Sequence, residues 1–169
     1  MSSELILIRH GESEANASLT EHPDSRLTEL GVRQALEVGQ QLRNLDLRRY
    51  LCLVSPYERT LRTAEHIAAV TGLNFEQHDL VREWGLSATV GGKHFQEEQK
   101  EELVLRLREF LQLHPDRNLL LVSHAAPIAV LTQLACGENP NTEGAFWTGV
   151  GNCCLLRVRR TGGAVTSSD

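Results

Sequence analysis

The sequence predicts an α/β fold built on a largely parallel sheet, and three observations predict it. Three short apolar runs, Leu5 to Ile8, Leu51 to Val54 and Leu119 to Val122, are too brief for helices and have the character of buried strands. Between them lie segments whose apolar residues recur at helical spacing, so strand and helix alternate along the chain. Each run also stops at polar groups: Arg9-His10, Ser55 and Ser123-His124. In a parallel sheet these ends share one edge, and that edge is where open α/β sheets bind ligands.

The elements follow in order. After the first strand, Gly11 is expected to turn the backbone sharply, because glycine has no Cβ penalty at unusual φ/ψ. A polar connection runs to Arg26. Thr28 is a natural N-cap for a helix carrying Val32, Ala35, Leu36, Gly39 and Leu42 on one face. The second strand ends at Ser55-Pro56, and the proline suits the first turn of a helix that runs to Val70 and stops at Gly72. A short strand is expected between Asn74 and Val81, before Arg82-Glu83-Trp84-Gly85. Residues 86–94 read as a Gly-rich loop. A helix is expected from about Gln96, with Leu103, Val104, Leu107, Phe110 and Leu111 inward, ending at His114-Pro115. The third strand leads through His124 into a helix from Ala125 to about Cys136. Residues 139–150 read as loop, and Cys153 to Val158 as a final edge strand.

Composition narrows the function classes. A chain of 169 residues is one domain by length, expected over 1–160, with 161–169 as a flexible polar tail. A formal charge of −5 argues against a broad nucleic-acid-binding surface. No apolar run approaches a membrane span, and the N-terminus lacks the apolar core of a signal peptide. Cys52, Cys136, Cys153 and Cys154 form no C-x-x-C pair, so they read as reduced thiols of a cytoplasmic protein.

The polar strand ends carry the chemistry. A metal held by His10, His124 and Glu83 is disfavoured by neighbouring arginines, which are always charged. An anion is welcome there, gripped by Arg9, by Arg59 one helical turn past Ser55, and by the helix N-termini near Pro56 and Ala125. Phosphate is the natural anion. A neutral imidazole is a competent nucleophile toward phosphorus, and nearby guanidinium groups keep it neutral. The leaving oxygen then needs an acid. Glu83 is best placed, with Trp84 expected to raise its pKa; Glu12 is the rival.

At this point the motifs become specific. Leu7-Ile-Arg9-His10-Gly11-Glu12-x-x-x-Asn16 resembles the signature of the histidine phosphatase superfamily, which includes the cofactor-dependent phosphoglycerate mutases. Leu27-Thr28-x-x-Gly31-x-x-Gln34-Ala35, Ser55-Pro56-x-x-Arg59-Thr60-x-x-Thr63-Ala64, the Glu83 segment and Val122-Ser123-His124 match later landmarks in order, across residues 4–128. The resemblance implies a three-layer α/β/α architecture and a phosphohistidine on His10. It implies that Arg9, Asn16, Arg59, His124 and the backbone N–H of Ala125 bind phosphate, with Glu83 as proton donor. It offers Arg62 as a secondary substrate contact. Ser13 and His94 join it as candidates by position alone: Ser13 follows the nucleophile closely, and the loop of His94 could overhang the pocket.

Two departures from the pattern bear on activity. Ala125-Ala126 replaces the glycine that often follows the second histidine. The span 84–123 is short, whereas the mutases insert a longer segment there to enclose their substrate. A mutase must keep water from its phosphohistidine, so an open pocket favours hydrolysis. The expectation is a phosphatase without cofactor or metal, acting on a phosphorylated small molecule or a phosphoprotein. A phosphoglycerate mutase-type transferase and a non-catalytic phosphate-binding module are the alternatives. Oligomeric state is not legible in the sequence.

Overall fold

The computed structural model describes residues 3–85, 87–140 and 149–160. Within them, β1 (Glu4–Arg9), β2 (Tyr50–Val54), β3 (Glu76–Gln77), β6 (Asn118–Ser123) and β7 (Leu155–Arg159) form one sheet in the order β3-β2-β6-β1-β7. The pairs β1–β6, β6–β2 and β2–β3 are parallel, and the edge strand β7 runs antiparallel to β1. A separate hairpin is made of β4 (Ala88–Val90) and β5 (Lys93–Phe95).

Both faces of the sheet are covered, which is why its central strands are apolar at every position. Leu5, Leu7, Leu53, Leu119 and Leu121 face α3 (Lys100–Leu113) and α4 (Ala125–Ala135). Ile6, Ile8, Cys52, Val54, Leu120 and Val122 face α1 (Glu29–Leu42) and α2 (Glu58–Thr71). The result is three layers, α/β/α. Leu5 through Ile8 are fully buried, at roughly 1.5–3 kcal/mol each. His10 therefore rises from a rigid base.

Register aligns the polar ends. Arg9 pairs with Ser123, and Val54 with Val122, so His10, Ser55 and His124 emerge side by side. The His10 N–H donates to the Ser123 carbonyl and the Ser55 N–H to that of Val122, each at 3.0 Å.

Several expected boundaries move. Thr28 caps α1 as predicted, its Oγ1 accepting from the Gly31 N–H at 3.1 Å. The helix α2 starts at Glu58, beyond Pro56; Tyr57 is its N-cap residue, and Asp24 Oδ1 accepts the Glu58 N–H at 2.7 Å. The strand expected before Val81 is only two exposed residues, followed by the 3₁₀ turn Asp79–Val81. The Gly-rich segment is a hairpin rather than a loop. Gly91 and Gly92, with φ of 55° and 78°, make the tight mirror-image turn that joins such strands. Residues 96–99 precede α3 because Gln99 and Glu102 form a capping box. Cys153 and Cys154 lie ahead of β7 rather than in it, Cys153 with φ of 50°. The expected tail at 161–169, and positions 141–148 of the expected loop, lie outside the described residues.

Gly11 also differs from expectation. Its φ is not positive; it is needed because a methyl there would run into the carbonyl oxygen of Gly31. Gly31 in turn presses on the Glu12 carbonyl. The start of α1 thus packs backbone to backbone against the loop after His10.

Candidate active site

His10 is 2% exposed, and its ring is held from two sides. Nδ1 lies 2.7 Å from the Gly11 carbonyl, and Arg59 donates from Nε to His10 Nε2 at 3.2 Å. A guanidinium has no acceptor, so Nε2 carries the lone pair and Nδ1 the proton. Burial pushes the His10 pKa well below the ordinary value, helped by His124 and Arg59. Thr63, inside α2, accepts the Gly11 N–H at 3.0 Å and donates to the Arg59 carbonyl at 2.7 Å. One hydroxyl thereby couples the loop after His10 to the helix that carries Arg59.

His124 is fully buried 5.3 Å from His10, ring centre to ring centre, in an edge-on arrangement. Its Nε2 is 2.7 Å from Ser55 Oγ, and its Nδ1 is 3.2 Å from Glu83 Oε2. A proton on Nδ1 suits both neighbours, with Ser55 donating to Nε2. Burial pushes His124 down to about 4, although Glu83 opposes the shift.

Glu83 is brought between His124 and Arg59, whose Nη2 donates to Oε2 at 3.2 Å. Its side chain keeps 29% of its exposure, so it can reach an incoming molecule. The expected rise in its pKa is not found. Burial does push the carboxyl up, but His124, Arg59 and the Trp84 N–H together outweigh it and hold the group well below the usual carboxylate range. Burial loses to Arg59, His124 and the Trp84 N–H taken together.

Arg59 uses all three of its nitrogen positions, the last by donating from Nη1 to the Pro23 carbonyl at 2.8 Å. Arg9 donates from Nη1 to the Val150 carbonyl at 2.6 Å, while its Nε is buried without a partner among the described residues. Asn16 accepts through Oδ1 from the Ser13 N–H, the Ser13 hydroxyl and Asn152 Nδ2, each at 3.1 Å. Its NH₂ group has no hydrogen-bond partner among the described residues. Ala125 is the first residue of α4, so its N–H belongs to the unsatisfied donors of that helix end.

The remaining candidates are differently employed. Ser13 is 1% exposed and spends its proton on Asn16. Arg62 lies on the exposed side of α2 between Glu58 and Glu65, at 2.8 and 2.7 Å. His94 is exposed on β5 and pairs with Thr89 across the hairpin at 3.1 Å. Glu12, the rival acid, accepts from the Thr28 hydroxyl at 2.8 Å, at the start of α1.

Two residues of the site carried no local signal. Asn152 donates to the His10 carbonyl at 3.1 Å as well as to Asn16, tying the two residues together from a distant part of the chain. Tyr57 packs its ring 5.0 Å from that of His124 and lies under the Arg59 guanidinium at 4.7 Å. Its other contacts are Ala88, Val90 and Phe95, so the hairpin rests on the wall of the site.

Donor atoms of His10, Glu83 and His124 lie within 4.8 Å of one another, a spacing that could hold a metal ion. The Arg59 guanidinium, however, already contacts the His10 and Glu83 members of that trio. With Arg9 beside it, the arrangement can receive an anion next to an unprotonated imidazole.

The chain belongs to the histidine phosphatase superfamily (branch 1), whose model matches residues 5–105. It is 32% identical over 186 residues to a probable phosphoglycerate mutase GpmB of Photorhabdus laumondii, covering 92% of this chain and 84% of that one. It is 30% identical over 173 residues to an uncharacterized phosphatase PhoE of Bacillus subtilis, covering 91% and 86%. In fold it resembles a putative alpha-ribazole-5'-P phosphatase of Escherichia coli, with a TM-score of 0.76 at 21% identity over 95% of this chain and 91% of that one.

Proposed function

We propose that this chain is a metal-independent phosphatase that hydrolyses phosphate monoesters through a phosphohistidine on His10 Nε2, its residues 1–160 forming one catalytic domain. The observation that carries the reading is the Arg59 Nε contact on His10 Nε2, which requires a nucleophilic lone pair beside a cationic clamp.

In this reading the phosphoryl group is bound by Arg9 Nε, the Asn16 amide, Arg59, His124 and the Ala125 N–H. His10 Nε2 attacks phosphorus, the bond to the leaving oxygen breaks, and Glu83 gives that oxygen its proton. Arrival of the phosphate supplies the proton's motive: its negative charge takes Arg59 away from Glu83 and repels the carboxylate, raising its pKa. The resulting carboxylate then accepts a proton from water as the oxygen attacks phosphorus and the N–P bond breaks. Orthophosphate leaves, and His10 returns neutral. Charge stabilisation by preorganised donors supplies most of the acceleration.

A small three-residue-strand hairpin and one core-packed helix fill the span that would have to enclose a mutase's intermediate. That favours hydrolysis, and an open mouth admits a phosphorylated small molecule or a phosphoprotein. The second reading, phosphoglycerate mutase-type transfer, is favoured by the name of the Photorhabdus laumondii relative. Glu83 facing Arg59 and His124 weighs against a mere phosphate-binding module. Four free cysteines and no helix long and apolar enough to cross a membrane, among the described residues, agree with a cytoplasmic enzyme.

The test is hydrolysis of p-nitrophenyl phosphate in EDTA, wild type beside His10→Ala, with rapid quench for an acid-labile phosphoenzyme. Activity that survives EDTA and vanishes with His10 is expected. Isomerised rather than cleaved phosphoglycerate would favour the transferase, and activity indifferent to His10 would overturn the mechanism.

A further inference from the structure

Glu83 belongs to no helix or strand. It follows one 3₁₀ turn and precedes a turn at Gly85, so the position of its carboxyl must come from elsewhere. We propose that the buried Glu98–Arg106 pair is a positioning device for Glu83, holding that carboxyl at the distance from His10 and Arg59 that proton donation needs. The inference rests on the reading of Glu83 as the proton donor.

Arg106, on α3, is 7% exposed, and Glu98, just before α3, is 9% exposed. They pair in a fork, Nε to Oε1 at 2.7 Å and Nη2 to Oε2 at 2.6 Å. The remaining nitrogen, Nη1, donates to the carbonyls of Leu80 at 2.5 Å and Arg82 at 3.3 Å. Arg106 thus grips the peptide immediately ahead of Glu83. Behind it, the Glu98 N–H donates to the Gly85 carbonyl at 3.0 Å. Arg82 Nη2 adds a longer contact to Glu98 Oε1 at 3.3 Å, and the Ser123 hydroxyl donates to the Val81 carbonyl at 2.7 Å. Positions 80, 81, 82 and 85 are all held; 83 is the residue they bracket.

Stability alone does not explain the choice of residues. An apolar pair of similar volume is often as stable as a buried ion pair, or more so. Leucine and methionine could fill the space, but neither could bond two carbonyls of an irregular segment at once. Arginine can, because its donors are fixed in one plane. Precision matters here, since an acid must lie within hydrogen-bond reach of the leaving oxygen. Misplacement by an ångström can cost on the order of 100-fold.

The experiment compares phenyl phosphate, whose leaving group needs a proton, with p-nitrophenyl phosphate, whose leaving group departs with little help. Two variants are made: Arg106→Lys, which keeps the charge opposite Glu98 but loses the fork, and the double substitution Glu98→Leu with Arg106→Met, which keeps the buried volume apolar. The second retains a folded chain should the first not fold. The expected result is a fall in kcat/KM for phenyl phosphate of roughly 30-fold or more, against less than about 3-fold for p-nitrophenyl phosphate. Vanadate inhibition should be unchanged. Equal losses on both esters, or none on either, would make the pair a structural pillar only and overturn the inference. If the wild-type chain turned over neither ester, the phosphatase reading itself would fall, and this inference with it.

Discussion

Arg59 Nε and His10 Nε2 lie 3.2 Å apart, and the contact decides which nitrogen of the His10 ring keeps its lone pair. The guanidinium can only donate, so the facing nitrogen holds a lone pair; the ring's one N–H, on Nδ1, donates to the Gly11 carbonyl at 2.7 Å. A helix and a loop from different parts of the chain thereby set one tautomer. The same arginine also holds Glu83 and the Pro23 carbonyl, so it stands at the centre of the site.

Replacing Arg59 by lysine should therefore be severe although the charge is kept. An ammonium cannot serve His10, Glu83 and a loop carbonyl from one plane. We expect kcat/KM for p-nitrophenyl phosphate to fall about 100-fold, on the scale of a lost charge-stabilising donor. Thermal melting of the variant beside the wild type checks that the fold survives.

The pH dependence of activity follows from two shifts with the same consequence. His10 is held neutral well below the ordinary histidine value, so the nucleophile persists as pH falls through about 6.5. Glu83 is held well below the usual carboxylate range, so its proton-bearing form becomes more abundant as pH falls. Both push the optimum to the acid side. The kcat/KM for phenyl phosphate should rise between pH 8 and pH 6, more steeply than for p-nitrophenyl phosphate; an optimum above pH 7.5 would contradict this assignment.

Stability should move the other way. His10 and His124 have folded pKa values below their unfolded ones, His124 at about 4, chiefly because both are buried. The unfolded chain binds protons that the folded chain refuses. The stability is full above about pH 6.5 and is lost as pH falls from there toward the folded values. His78 and His114, ring-packed with Phe110 and also lowered by burial, add to the effect. A Tm lower by on the order of 10 °C at pH 5 than at pH 7 is expected by calorimetry.

Gly31→Ala tests the backbone contact beneath the nucleophile. The added methyl would strike the Glu12 carbonyl, which cannot retreat without moving the loop that carries His10. Overpacking of this kind costs about 1–3 kcal/mol or more, a Tm loss of several degrees. Phosphoenzyme formation by quench should slow in the same variant. An unshifted Tm would show that the loop yields freely.

Much of the site was legible because its parts are attached to buried strands. Arg9, His10, Ser55, Ser123 and His124 follow apolar runs whose register in a parallel sheet leaves little choice of where the ends lie. Thr28 was legible as a cap for the same reason of local chemistry. The hairpin was harder, although Gly91-Gly92 signalled its turn. Strands of three residues have no periodicity to read, and this pair is placed by packing on Tyr57, far back in the chain.

The sequence by itself determined the alternation of strand and helix, the parallel sheet and the polar groups that end its strands, since hydrophobic period and strand-end polarity are local properties. Only the tertiary structure decided their states. The charge on Glu83 depends on Arg59 and His124, the anchoring of His10 on Asn152 and Thr63, and the close packing of α1 against the loop after His10 on Gly11 meeting Gly31. Each is an interaction through space between residues distant in the chain, where electrostatics and sterics depend on separation in ångströms rather than in sequence.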